Sequence, residues 1–321
     1  MSLLQRIFSW LLSIFKPAMD SSGGGLMSTS ATASTTVTVT TEKPRKYALL
    51  VGVNKYALPN ADLQGCVNDV ERMWKLITTR YGFDKDDVRM LTDERATQQA
   101  VLERLEWLVT QPKKGDVIFF QNSSHGSQIR DRNADELDDS LDELIVTYDH
   151  SWDAPLIDDT LATFFRRVPE GVKCIFVCDA CHSGSMTRGE IGNPHPIRAR
   201  FLPPPIDIAA RSWGRELPIK HFGEKGINSR SIGDIHVVDQ NHVLLSGCRD
   251  NQTSADAFID GRYQGALTAS LCAALEEHPE YDWKHIHSAV CASLKVGGYT
   301  QIPQLTGSEP LLEDVPFGGI V

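Results

Sequence analysis

A histidine and a cysteine each follow a short apolar run, in turns made of small residues. Residues 116–121 (DVIFFQ) lead into the turn with His125 and Gly126, and residues 173–178 (KCIFVC) lead into the turn with Asp179 and Cys181. A thiol becomes a nucleophile when a nearby base takes its proton, and small residues let a substrate backbone approach. The backbone amides of Gly126 and Cys181 are candidate oxyanion donors. The pattern predicts thiol-mediated acyl transfer.

These two turns need a framework that brings them together. Continuous apolar runs of strand length predict buried strands at residues 47–53, 88–91, 116–121, 173–178 and 242–246, with a last short run before Pro310. Helical spacing predicts helices at 69–81, 101–109, 161–168, 266–277 and 283–294. Strands that alternate with helices indicate an α/β fold with a mainly parallel sheet, covered on both faces. Parallel strands end at one edge, so His125 and Cys181, 56 residues apart, should meet there.

Residues 123–126 (SSHG) and 179–184 (DACHSG) resemble the two catalytic motifs of metacaspases, a branch of the caspase-like peptidases. Residues 63–69 (LQGCVND), 261–266 (GRYQGA) and 301–305 (QIPQL) resemble further segments of that family, so the likeness spans about 46–310. The resemblance implies a caspase-like three-layer sandwich and a monomeric cysteine endopeptidase. In it Cys181 is the nucleophile and His125 the base of a dyad, with no third member assigned.

The resemblance also implies a substrate pocket. In metacaspases, an acidic pocket for Arg or Lys is formed by the positions that match Cys66, Asp69, Ser123 and Asp179. Two carboxylates in a cleft favour a guanidinium and repel an aspartate side chain. The alternative for Asp69 is a negative charge at a helix N-terminus. We therefore predict protein or peptide substrates with Arg or Lys before the scissile bond.

Acidic residues are concentrated in one segment. Between residues 131 and 159, eleven Asp or Glu stand against one Arg, a local balance of −10 that equals the formal net charge of the chain. The segment is either a solvated acidic loop or a cation site. Residues 131–142 begin like an EF-hand loop, but Glu136 stands where that loop needs glycine. An EF-hand is therefore not expected.

A different calcium site follows from the resemblance. Metacaspases are commonly activated by calcium, and their ligands match Asp142, Asp158 and Asp159. Oxygen-rich carboxylate sites suit Ca²⁺. A fourth family carboxylate is replaced here by Arg188, and Glu190 is the candidate to take its place. We expect calcium as an activator.

The cysteine motif has two competing interpretations. Residues 178–182 match C-x-x-C-H, the haem-attachment pattern, but Cys178 ends a buried apolar run. A zinc site would need Cys174, Cys178, Cys181 and His182 together, yet the first two lie on one side of a strand while the turn aims Cys181 elsewhere. We expect neither haem nor zinc. The odd number of cysteines, seven, and their apolar surroundings predict a reduced, intracellular protein.

The chain divides into three parts. Residues 1–18 predict an apolar amphipathic helix, too short to span a bilayer. Its residues 3–15 suit an interfacial membrane helix, a partner-binding helix or a docked terminus. Residues 19–45 are a flexible Ser/Thr/Gly-rich linker, and 46–321 form the peptidase domain. The net charge of −10 argues against nucleic acid as a partner. We predict a cytoplasmic protein with peripheral membrane contact through this helix.

A long loop, residues 186–236, contains six prolines and six glycines. A loop of this length is usually functional or disordered. Its basic residues are candidate self-cleavage sites: Arg188, Arg198, Arg200, Arg211, Arg215, Lys220, Lys225 and Arg230. The alternative to an enzyme is a non-proteolytic, calcium-responsive scaffold with a caspase-like fold.

Overall fold

The structure is a computed structural model of the chain, and it describes residues 43–130, 141–181, 195–209, 242–249 and 252–321. The predicted N-terminal helix, nearly all of the predicted linker, and His182, Arg188 and Glu190 lie outside the described residues. Within these described ranges, no helix is both long enough and apolar enough to cross a membrane.

A six-stranded sheet forms the centre of the fold. Its spatial order is β12 (Gln304–Gly307), β9 (His242–Ser246), β7 (Lys173–Asp179), β3 (Val117–Ser123), β1 (Lys46–Gly52) and β2 (Val88–Thr92). All neighbouring strands are parallel except β12, which is antiparallel to β9. The continuous apolar runs form these strands because both faces of the sheet are covered. This confirms the predicted α/β class with a mainly parallel sheet.

Helices pack on both faces of the sheet and enclose two hydrophobic cores. On β3, Ile118 and Phe120 enter one core, whereas Val117 and Phe119 enter the other. The first core includes residues of α2 (Gln98–Thr110) and α3 (Asp158–Phe165). The second includes residues of α1 (Cys66–Arg80), α4 (Ala266–Glu277), α5 (Trp283–Val296) and the short α6 (Glu309–Leu312). Successive strand residues point to opposite faces, which gives the three layers.

The register of the three central strands determines where their following loops begin. Gly52 of β1 is paired with Ser123 of β3, and Ser123 is paired with Asp179 of β7. The three strands therefore end at the same level. The residues that come next in the chain, including His125 and Cys181, start from one edge of the sheet.

Two small antiparallel sheets complete the described fold, and neither was predicted. One contains β4 (Gly126–Arg130), β5 (Leu141–Ile145) and β6 (Leu156–Ile157). The other contains β8 (Arg198–Ala199), β10 (Ala255–Ile259) and β11 (Arg262–Gly265). Their strands have two to five residues, too short for a clear alternating pattern. Helices α1 and α3 each begin three residues earlier than predicted, at Cys66 and Asp158.

Candidate active site

His125 is held by two contacts just after β3. Its backbone N–H donates to the Tyr56 hydroxyl at 2.9 Å, and its Nε2 lies 2.8 Å from the Ala61 carbonyl oxygen. A carbonyl can only accept, so Nε2 carries the proton in the neutral ring. Nδ1 is then an acceptor, and it is buried with no hydrogen-bond partner among the described residues. This nitrogen is free to take a proton.

The surroundings of His125 keep its ring neutral. Burial lowers its pKa from 6.5 to about 4, although the hydrogen bond to Ala61 partly opposes this effect. The ring is therefore uncharged at neutral pH and can act as a general base. The Ala61 carbonyl orients the ring in the way that a third catalytic group would. The sequence contains no sign of this backbone acceptor.

Cys181 follows β7 and is fully buried. Its Sγ accepts a short hydrogen bond from the Ser254 backbone N–H and lies 3.6 Å from the Ser254 carbonyl oxygen. The loop that carries Cys181 touches the loop that carries His125, because a Cβ on Gly126 would collide with the Cys181 carbonyl oxygen. Only glycine permits this approach of the two backbones. The structure therefore brings the two predicted turns into contact.

Two backbone amides converge on one oxygen beside the thiol. The N–H of Gly126 and the N–H of Cys181 donate to the carbonyl oxygen of Arg200, at 3.0 and 3.1 Å. Paired amides next to a nucleophile can stabilise the oxyanion of a tetrahedral intermediate. These are the two amides that the sequence suggested for that role.

The side chain of Arg200 fills a buried acidic pocket. Its Nη2 lies 2.7 Å from an oxygen of Asp69 and 3.1 Å from an oxygen of Asp256. Its Nη1 lies 2.6 Å from the Ser123 hydroxyl and 3.2 Å from an oxygen of Asp179. The guanidinium and all three carboxylates are completely buried. The pocket thus includes Asp69, Ser123 and Asp179 as predicted positions, and Asp256 in addition.

The charges in the pocket depend on one another. Burial alone would lower the pKa of Arg200, but Asp179 and the other acidic groups outweigh it and raise that pKa well above its ordinary value. Burial raises the pKa of Asp69, and Arg200 opposes the rise. Cys66 is also buried, and burial raises the pKa of its thiol, although the positive charge of Arg200 partly opposes the rise. Three carboxylates surround one cation, so the pocket is built for positive charge.

Gly265 closes the pocket from the side of β11. A Cβ at this position would collide with an Asp179 carboxylate oxygen and with Nη1 of Arg200. Its N–H donates to Asp69 at 2.9 Å. The last residue of the turn at residues 261–265 must therefore be glycine, because any larger residue would occupy the space of the Arg200 guanidinium.

Residues 198–202, which we call the cleft segment, run through the site on both sides of Arg200. Ala199 and Arg198 are paired with Ala255 and Asp256 of β10, antiparallel. The N–H of Arg200 donates to the Ser254 carbonyl, and the N–H of Leu202 donates to the Gly126 carbonyl. A cavity of about 820 Å³ separates part of this segment from residues 56–63.

The predicted calcium ligands are only partly within the described structure. Asp158 is buried at the start of α3. The backbone of Asp142 lies on β5, which pairs with β6 through Leu144 opposite Ile157. Carboxylate oxygens suit Ca²⁺, so this part of the donor set fits. Among the described residues, no group of three or more His, Cys, Asp or Glu is arranged to hold a metal.

The thiols of the competing haem and zinc interpretations lie inside the fold. Cys174 and Cys178 are buried on β7, in the first hydrophobic core. Burial raises the pKa of Cys174 to about 12, and that of Cys178 also rises. A thiol must ionise to bind zinc, so this environment opposes metal binding at both residues.

The geometry can be compared with known proteins. The family model of the metacaspase peptidase C14 domain matches residues 46–188. Metacaspase-1 of Schizosaccharomyces pombe is 30% identical over 292 residues, which cover 83% of this chain and 68% of that protein. This chain is a metacaspase. The family is a family of cysteine peptidases, so the metacaspase is a cysteine-type peptidase whose fold presents Cys181 and His125.

Solved structures agree with the fold of this metacaspase. A Geobacter sulfurreducens protein, GSU0716, superposes with a TM-score of 0.61 and 26% identity, covering 87% of this chain and all of that one. Caspase-1 from Spodoptera frugiperda superposes with a TM-score of 0.51 at 13% identity, over 83% of this chain and 87% of that one. The second likeness concerns the fold alone. Together they support the caspase-like three-layer arrangement.

Sequence reasoning missed several residues of the metacaspase site. Asp256 lies between two alanines in a short strand and is fully buried. The one sign of its role in the sequence is an acidic residue between two small apolar residues. Tyr56 gave no signal, because its role depends on a hydroxyl that reaches His125. Ser254 contacts Cys181 and Arg200 through backbone atoms, which no residue type reveals, and its hydroxyl donates to Asp179 at 2.6 Å.

Proposed function

We propose that this metacaspase is an endopeptidase that cleaves after Arg or Lys, is activated by calcium and processes itself. The observation that carries the specificity is the pocket of Asp69, Asp179 and Asp256 around a buried guanidinium. An aspartate side chain in the same pocket would meet three carboxylates, and close like charges cost several kcal/mol. We therefore expect no turnover of aspartate peptides.

The proposed chemistry uses the groups around Cys181. His125 takes the thiol proton through Nδ1, which is buried and available. The thiolate attacks the carbonyl carbon, and the amides of Gly126 and Cys181 stabilise the oxyanion. His125 then gives its proton to the leaving amine, and water hydrolyses the thioester. The N–H of Ser254 donates to Sγ, and a donor at this position would also stabilise the thiolate.

Arginine should be a better substrate than lysine. The guanidinium reaches Asp69 and Ser123 through two different nitrogens, at 2.7 and 2.6 Å. Lysine has a single ammonium nitrogen, which cannot contact Asp69 and Ser123 through two separate nitrogens as the guanidinium does. Calcium activation is supported by the acidic segment and by the carboxylates of Asp142, Asp158 and Asp159. Calcium would balance the negative charge of these carboxylates.

One assay tests these proposals. Fluorogenic peptides that end in Arg, Lys or Asp are incubated with the full-length protein, with calcium or with a chelator. We expect turnover of Arg above Lys, none of Asp, and loss of rate with the chelator. The control is Cys181→Ala, which should remove all turnover. Equal turnover of Asp and Arg peptides would refute the specificity, and equal rates in chelator would refute the calcium requirement.

A further inference from the structure

We propose that Gln301 is a positioning residue of the active site, which holds Ser254 so that the Ser254 N–H faces the Cys181 sulfur. This inference rests on the proposed role of Cys181 as the nucleophile. It goes further because it gives a role in catalysis to a residue that lies far along the chain from both catalytic turns.

Ser254 places two backbone groups against the sulfur of Cys181. Its N–H donates to Sγ, and its carbonyl oxygen lies 3.6 Å from Sγ, where it can accept the thiol proton. When the thiol ionises, the carbonyl loses its donor but the N–H keeps its acceptor. A hydrogen bond made to the charged form of a group favours that form. The Ser254 N–H should therefore stabilise the thiolate, as long as its direction is maintained.

Gln301 contacts Ser254 at its side chain and at the next peptide N–H. Its Nε2 donates to the Ser254 hydroxyl oxygen at 3.1 Å, and its Oε1 accepts from the N–H of Ala255 at 2.9 Å. The same Nε2 donates to the Gly247 carbonyl oxygen at 2.9 Å. Gln301 is buried, with 4% of its surface exposed. The three contacts use both amide hydrogens and the carbonyl oxygen of this side chain, which fixes its orientation.

Gln301 is itself held in place by a second glutamine. The Nε2 of Gln252 donates to the Thr300 carbonyl oxygen at 2.7 Å, and its Oε1 accepts from the N–H of Ile302 at 3.0 Å. These are the two residues on either side of Gln301. The segment that contains Ser254 and the segment that contains Gln301 are therefore joined by two side-chain amides that point in opposite directions. Neither segment can shift without breaking hydrogen bonds at the other.

Ser254 also joins the nucleophile to the acidic pocket. Its hydroxyl donates to one oxygen of Asp179 at 2.6 Å while it accepts from Gln301. The other oxygen of Asp179 accepts from the N–H and the hydroxyl of Thr268, at 3.0 and 2.7 Å. Asp179 thus has two donors that do not depend on Gln301. Loss of Gln301 should therefore affect the Cys181 thiolate more than the pocket.

The alternative is that Gln301 stabilises the fold and does nothing more. Buried groups that lose their hydrogen-bond partners lower stability in either case, so a lower melting temperature does not separate the two roles. The rate of alkylation at Cys181 does separate them, because the thiolate is the form that reacts with iodoacetamide. A residue with a structural role alone leaves the pH dependence of that rate unchanged in protein that is still folded.

The first test compares wild type, Gln301→Met and Gln304→Met. Gln304 is the matched control, because its Nε2 donates to the carbonyl oxygens of Ile302 and Pro303, outside the site. Each full-length protein is pre-incubated until its peptidase rate is constant and is then treated with iodoacetamide at several pH values below its melting temperature. Alkylation of the Cys181 peptide is followed by mass spectrometry.

We expect the alkylation profile of Gln301→Met to lie about one pH unit above that of wild type, because the thiolate loses a hydrogen-bond donor. The profile of Gln304→Met should coincide with that of wild type. Coinciding profiles for wild type and folded Gln301→Met would overturn the proposal.

Other titratable groups at the site also shape these profiles, and the variants retain all of them. They are His125, Asp179, Glu143 and Cys248, whose thiol contacts that of Cys181. Because each group is present in wild type and in Gln301→Met, the difference between the two profiles reports the Ser254 N–H.

Steady-state rates give a second readout. In Gln301→Met, kcat for arginine peptides should fall about tenfold, because a donor to the thiolate is lost. KM should stay within about threefold of wild type, since Asp179 keeps its contacts with Thr268. A fall in kcat/KM that appears in KM alone would contradict the proposal, because it would place the effect of Gln301 in the pocket.

Ser254→Ala decides the matter if Gln301→Met does not fold. It removes the hydroxyl that Gln301 contacts but leaves the N–H of residue 254 and the whole of Gln301 in place. Thr268→Val is its matched control, because it removes a hydroxyl donor from the same carboxylate, Asp179. We expect the alkylation profile of Ser254→Ala to move to higher pH, and to move further than that of Thr268→Val. A profile identical with that of wild type would show that this contact does not position the N–H.

The same measurements separate this inference from the proposed function. If wild type cleaves no peptide and iodoacetamide does not modify Cys181, the proposed function has failed. If wild type cleaves arginine peptides and Gln301→Met matches it in kcat and in its alkylation profile, the proposed function stands and the inference alone has failed.

Discussion

Asp69 offers the sharpest test of the proposal that the pocket binds a positively charged substrate side chain. One of its oxygens accepts from the Gly265 N–H at 2.9 Å. The other accepts from the Ser123 hydroxyl at 2.6 Å and from the bound guanidinium at 2.7 Å. In Asp69→Asn, the remaining carbonyl oxygen can still accept the hydrogen bond from the Gly265 N–H, and the side-chain amide can donate to the Ser123 hydroxyl. Only the contact with the guanidinium becomes unfavourable.

The size of the effect follows from that single lost contact. A hydrogen bond to a charged group contributes about 1.5–3 kcal/mol, which corresponds to a fall in kcat/KM of about 10- to 150-fold for arginine peptides. The fall should appear mainly as a higher KM, because substrate and transition state both use the pocket. Lysine peptides should also lose activity, since they depend on the same charge.

The thermal stability of Asp69→Asn should be maintained or increased, although its activity should fall. Burial raises the pKa of Asp69 from 3.8 to about 6, even with Arg200 beside it. The folded chain then binds a proton at Asp69 more tightly than the unfolded chain, so stability is lost as pH rises from about 4 to 6. Asparagine carries no such cost. The melting temperature of Asp69→Asn at pH 7.5 should therefore be equal to or higher than that of wild type.

The assay uses protein pre-incubated until its rate is constant, and it compares Asp69→Asn with Asp86→Asn, the same change at an exposed position. The control should stay within twofold of wild type. If folded Asp69→Asn has an unchanged kcat/KM for arginine peptides, the proposal that this pocket binds the charged substrate side chain is refuted. A melting temperature several degrees lower would show that Asp69 acts mainly on the fold.

Three further outcomes follow from the site and its histidines. Gly126→Ala should abolish turnover, because its Cβ would collide with the Cys181 carbonyl, and normal steady-state rates would contradict that contact. The acid limb of kcat/KM should lie below pH 5, since burial holds the pKa of His125 at about 4; a limb at pH 6.5 would contradict this. Burial lowers the pKa of His242 from 6.5 to about 3. This residue should therefore lower the unfolding free energy by about 1.4 kcal/mol for each pH unit below 6.5. In His242→Gln, unfolding free energies measured by urea titration at several pH values should fall less steeply as the pH is lowered.

The central sheet and the meeting of the two catalytic turns could be predicted because their signals are local. The apolar runs that form β3 and β7 continue directly into the turns of His125 and Cys181, so predicting the strands also predicts where the turns lie. The strand at His242–Ser246 and the helix at Ala266–Glu277 have the predicted bounds, since strong apolar patterns define both ends.

The remainder of the site depends on long-range placement that no local pattern encodes. Asp256 and Arg200 meet because β8 pairs with β10, and β8 has only two residues. The contact of Ala61 with His125 and that of Ser254 with Cys181 use backbone atoms, which every residue type possesses. Such contacts are settled by tertiary packing, and a single sequence shows them only through a family resemblance.

The three buried carboxylates determine which side chains this pocket can hold. Asp69, Asp179 and Asp256 are completely buried, and a pocket emptied of its guanidinium would leave three carboxylates without a cation. Burying an uncompensated charge is costly, so such a pocket should either take up protons or bind the nearest suitable cation. Arg200 is tethered within reach and is therefore always present at high effective concentration. In the described structure these three charges hold Arg200, and we expect any substitution that removes one of them to weaken the contact with a guanidinium in this pocket.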